Sequence, residues 1–98
     1  MPTRFNDDDD GYSTWLTTHR DGFVGNFTAT MNPVYFTVHR ATCFRITPGS
    51  ARSNAPGAFT SRTYRKVCST DIEPLRAWGQ ANGFTTFHLC GGCNPGVG

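Results

Sequence analysis

Two cysteines separated by two glycines, Cys90-Gly91-Gly92-Cys93, are the firmest chemical signal in the sequence. Thiolates at that spacing grip one zinc ion from a tight knuckle, and the glycines permit the turn that aims backbone donors at the sulfurs. The other two cysteines, Cys43 and Cys68, each follow a strand-like segment. The expected arrangement is therefore a closed tetrahedral shell of Cys43, Cys68, Cys90 and Cys93 around a structural Zn2+. One knuckle plus two lone cysteines is less specific than two knuckles, and His39 or His88 is able to stand in for a lone thiol. A disulfide framework and free buried thiols are the competing readings. A thioredoxin-like redox pair does not fit, because such motifs draw their low thiolate pKa from a helix N-terminus and Cys93 is followed by Asn-Pro-Gly-Val-Gly.

Catalytic metal chemistry has little support. Four protein ligands leave no open position for water, and neither HExxH nor the deaminase H-x-E with a downstream PCxxC is present. No catalytic residue is assigned. A small metal-dependent nuclease using His39 as base would need acids near its metal. Outside the run at 7–10 the acids are Asp21, Asp71 and Glu73, and the last two are better used in capping a helix.

Charge points to an anionic partner. Six cations and no acid lie between Asp21 and Asp71, and eight of the nine cations in the chain are arginine, whose planar fork suits phosphates and guanine edges. If two strands converge on one metal, His39, Arg40, Arg45, Arg62, Tyr64, Arg65 and Lys66 are expected to form one nucleic-acid-binding patch. Tyr35, Tyr64, Trp15 and Trp78 offer stacking surfaces for a splayed-out base.

The elements that must position these groups read as follows. Residues 1–10, with four consecutive aspartates, are expected to be a disordered acidic leader. Residues 12–19 suit a short helical segment, and Asp21-Gly22 a turn. Residues 23–28 read as a strand in which Gly25 marks a bulge or a close backbone approach. Residues 34–39 alternate apolar and polar, with the strand ending or bulging near Arg40, because an unpaired guanidinium does not enter a core. A loop follows over 47–58, then a strand over 59–68. The main helix is expected over 71–82, with Thr70 and Glu73 at capping-box spacing, Pro74 in its first turn, Ile72, Leu75 and Trp78 as its buried stripe, and Asn82-Gly83 as its stop. A last strand over 84–89 leads into the knuckle.

Ninety-eight residues make one domain. With 37% hydrophobic residues, an aliphatic core alone is thin and a bound metal would help. The expected fold is α+β: a small three- to four-stranded, mostly antiparallel sheet with one main helix, zinc-stabilised by the four-cysteine site, spanning residues 11–95 with a flexible tail at 96–98. The N-terminal residues contain no apolar secretory segment, and no run approaches the ~20 apolar residues of a membrane helix. A cytoplasmic location is expected, where cysteines bind metal more often than they form disulfides. The expected function is a non-enzymatic nucleic-acid-binding module, DNA ahead of RNA, such as the recognition part of a nuclease or restriction system. The alternative is a protein-interaction module, for instance a phage or mobile-element accessory protein.

Overall fold

A computed structural model describes residues 2–5, 8–43, 46 and 64–91. The expected loop over 47–58, the first part of the expected strand at 59–63, Arg45, Arg62, Cys93 and the tail at 96–98 lie outside the described residues. The elements are β1 (Thr3–Phe5), α1 (Asp9–Thr18), β2 (Phe23–Thr28), β3 (Phe36–Arg40), β4 (Tyr64–Ser69), α2 (Ile72–Ala81) and β5 (His88–Leu89).

The strands form one sheet in the order β1-β4-β2-β3-β5. The β1/β4, β4/β2 and β2/β3 pairings are antiparallel, and β5 joins β3 in parallel. The architecture is thus α+β, as expected, but the sheet is five-stranded and mixed where a mostly antiparallel one of three or four strands was expected. Among the described residues it carries two helices, the expected main helix α2 and α1, which takes in the short helical segment expected over 12–19 and begins earlier, at Asp9. The additional strand comes from the N-terminal segment. Residues 3–5 pair with β4 and residues 8–10 begin α1, where a disordered leader was expected. The acidic run is used locally: Asp8 caps α1 by accepting from the Gly11 amide at 2.9 Å, and Asp9 and Asp10 lie in the first turn, where carboxylates favour the positive end of the helix dipole.

Pleating sends alternate residues to opposite faces of the sheet, and each face carries one helix. On one face Tyr12 and Leu16 of α1 pack with Phe5, Val24 and Cys68. On the other, Leu75 of α2 packs with Phe27, Phe36, Val38, Val67 and Phe84, with Ile72 and Trp78 partly buried beside them. Phe36 is the centre of the second core: its ring lies 5.0 Å from Phe84, 5.8 Å from Phe87 and 5.9 Å from Trp78. Gly25 makes room for it. A Cβ there would sit 2.6 Å from Phe36 Cζ and 2.9 Å from Val67 Cγ1, and the β2/β3 register runs through Gly25 without a bulge. Close approach, not a bulge, explains this glycine.

The helix α2 matches its sequence signals closely. Asp71 is the N-cap, one residue later than a Thr70–Glu73 capping box would require, and its side chain makes no capping bond. The Asp71 amide instead donates to Ser69 Oγ at 3.3 Å. Asn82 closes the helix and Gly83 follows at φ +87°, the left-handed conformation glycine adopts without strain. The expected strand over 84–89 shortens to His88–Leu89, while Val34, expected in β3, sits 61% exposed in the turn before it.

Candidate metal centre

β3 carries His39 to the end of the sheet, and the chain turns there. The Ala41 amide donates to the Gly22 carbonyl at 2.9 Å, and the Cys43 amide donates back to the Arg40 carbonyl at 2.9 Å. This tight return sets Cys43 Sγ 3.6 Å from His39 Nδ1. The third member arrives from β5. The Cys90 amide donates to the Val38 carbonyl at 2.8 Å, which extends the parallel β3/β5 pairing past Leu89 and fixes Cys90 beside His39. One ring nitrogen of His39 and the sulfurs of Cys43 and Cys90 all lie within 4.8 Å of one another, and all three residues are buried. They are close enough to hold one metal ion, and they are the one such group among the described residues. A nitrogen and two sulfurs form a borderline-to-soft donor set.

Cys68 is not in this group. In the sheet, Val24 stands opposite His39 on one side and opposite Cys68 on the other. With β2 between them, Cys68 lies two strand spacings from His39, about 9–10 Å. Cys68 instead fills the core under α1, and burial pushes its thiol pKa far up, as for an inert structural cysteine. Among the described residues the group close enough to hold a metal is therefore His39, Cys43 and Cys90, without Cys68. His88, the other histidine considered for that role, is exposed on β5.

The expected basic patch is also redistributed. Arg40 stands opposite Phe23 on β2, whereas Arg65 stands opposite Phe27. The two arginines are thus separated by four residues along the sheet, roughly 13 Å, as well as by two strand spacings. His39 is buried at the candidate metal centre, and Lys66 is buried with 3% exposure. Tyr64 is exposed at the start of β4. A cation not foreseen in the sequence joins this end: Arg4 on β1 lies over the Phe27 ring at 5.2 Å. Arg4 pairs with Val67, so Arg65 is its diagonal neighbour on the same face.

Lys66 has a defined environment. Its Nζ donates to Asn26 Oδ1 at 2.7 Å and lies 5.9 Å from both the Tyr12 and Tyr64 ring centroids. Two sequence features point to this site: an asparagine inside an otherwise apolar strand and a lysine alternating with Tyr64 and Cys68. Burial lowers the Lys66 pKa to about 8. In the unfolded chain the amine holds its proton up to its ordinary value of 10.5, so below about pH 8 folding carries the penalty of a buried charge. That penalty is relieved as pH rises. Wild type is expected to gain stability relative to Lys66→Met between pH 7.5 and 9, measured as urea midpoints across that range. Parallel pH profiles for the two proteins would contradict the burial account.

No helix among the described residues is long and apolar enough to cross a membrane. Compared with known proteins, the chain matches no family model, no curated protein and no solved structure.

Proposed function

We propose that this protein is a non-enzymatic, zinc-stabilised module that binds nucleic acid, with the zinc held by His39, Cys43, Cys90 and Cys93. The 3.6 Å separation of His39 Nδ1 and Cys43 Sγ carries the metal part of this reading. Tetrahedral zinc with Zn–N of about 2.05 Å and Zn–S of about 2.3 Å places such a pair about 3.6 Å apart. Cys93 enters from the sequence, because a Cys-x-x-Cys knuckle normally gives both thiolates to one ion. With four protein ligands the ion is structural: it ties β3, the turn after it and β5 together and offers no open position for water. The burial of His39 between two thiols favours ligation over the general-base role that a nuclease would require.

Nucleic acid is the partner that best suits the charge. Arg4 and Arg65 flank Phe27 on the α2 face at one end of the sheet, and the exposed Tyr64 lies at the same end on the other face. Affinity for a DNA duplex is expected to fall with salt, and Arg4→Ala with Arg65→Ala to lower the log K against log salt slope by about 2. Fluorescence anisotropy of a labelled duplex between 50 and 300 mM salt tests this. No shift of any oligonucleotide, alongside a salt-insensitive complex with a protein, would instead favour the protein-interaction reading, for which the exposed Val34 and Leu89 are apolar contacts among the described residues.

A further inference from the structure

On the α1 face of the sheet, at the end away from the candidate metal centre, polar side chains connect the interior to the surface. Lys66 donates to Asn26 at 2.7 Å, beneath Tyr35 and Tyr64. The Tyr35 and Tyr64 rings lie 5.5 Å apart, inclined at 39°. Tyr64 is 37% exposed. The Lys66 ammonium lies 5.9 Å from its ring centroid, while Arg65, the next residue of β4, belongs to the opposite face and donates from Nη1 to the Tyr64 carbonyl at 3.1 Å. A buried ammonium is a poor filler for a core, where an apolar side chain of similar volume is usually as stable or more so. An exposed aromatic ring backed by a second ring and bordered by a buried cation is instead the equipment of a stacking site.

We propose that Tyr64, braced by Tyr35 and the Lys66–Asn26 pair, is a stacking platform for an unpaired base of single-stranded DNA. The proposal deepens the nucleic-acid reading above and rests on it. A ring face accepts only a base whose own face is free. Bases inside a duplex present their edges, so the platform selects single strands, loops or extruded bases. Stacking is also tolerant of sequence, since every base has a π-face. The site is independent of the metal ligands, which lie at the opposite end of the strands.

The test uses the full chain as purified and a fluorescently labelled single-stranded DNA 12-mer of mixed sequence, next to its duplex and the single-stranded RNA of the same sequence. The single-stranded DNA is expected to bind more tightly than the duplex. Tyr64→Ala should weaken single-strand binding about tenfold with duplex affinity unchanged, and Tyr64→Phe, which keeps the ring, should restore it. Unchanged single-strand affinity in Tyr64→Ala, or a duplex bound as tightly as the single strand, overturns the platform while leaving the nucleic-acid reading in place. Tighter binding of the RNA overturns the assignment to DNA. Failure to bind any of the three probes overturns both.

Discussion

Chelation at neutral pH is expected to unfold the protein. His39 and Cys43 belong to one sharp return of the chain, but Cys90 follows β5, an edge strand of only two residues, so a shared ion would tie separate segments together. Metal binding in structural zinc sites is folding free energy, apparent values being ~10–16 kcal/mol for zinc-finger peptides. Even about 3 kcal/mol of that reaching the folded state would move the Tm of a domain this size by roughly 12–24 °C. A melt followed by circular dichroism, with and without a strong chelator, should therefore show a fall of that order or loss of the transition, and added zinc should restore it. A Tm that does not respond to chelator would show that the folded state does not depend on a metal. Thiols should become reactive in parallel, with Cys43 and Cys90 labelled on chelation as they lose their shared ligand role.

Phe36→Ala is expected to cause the largest loss of stability of any single core truncation. Phe36 is fully buried and its ring faces Phe27, Phe84, Phe87 and Trp78, so truncation removes both its own buried area and the surface on which four other rings rest. Such changes cost ~3–5 kcal/mol, against a total stability of about 5–15 kcal/mol for a domain of this kind. Val34→Ala is the matched control: its side chain is 61% exposed, and surface changes of this sort stay within about 0.5 kcal/mol. Urea unfolding of the two variants should separate them by several kcal/mol. Similar midpoints for both would mean that the aromatic cluster on the α2 face is not the main core.

Parts of this molecule were legible from local signals. The helix α2 carried its own start, stripe and stop in Asp71, Pro74, Leu75 and Gly83, and β2 ran over the expected residues, because each depends on neighbours in the chain. What depended on distant partners was not legible. Four aspartates in a row read as mutual repulsion, yet three of them gain from the end of a helix whose apolar face, Tyr12 and Leu16, finds its cover on β2 and β4. β1 has a single buried apolar residue, Phe5, and exists because β4 offers an edge. The metal group shows the same limit. That Cys43, Cys90 and His39 were candidates could be read from residue type and spacing, whereas the distance of Cys68 from them follows from the strand order, in which β2 separates β3 from β4. That same interposed strand disperses Arg40 and Arg65, which a shared metal would otherwise have drawn together.

Native mass spectrometry of the purified protein beside its Cys68→Ala and Cys90→Ala variants measures the metal assignment directly. Wild type and Cys68→Ala should each carry one zinc ion per chain, and Cys90→Ala should carry none. A metal-free wild type, or a Cys68→Ala protein that has lost its zinc, would contradict a centre built from His39, Cys43 and Cys90.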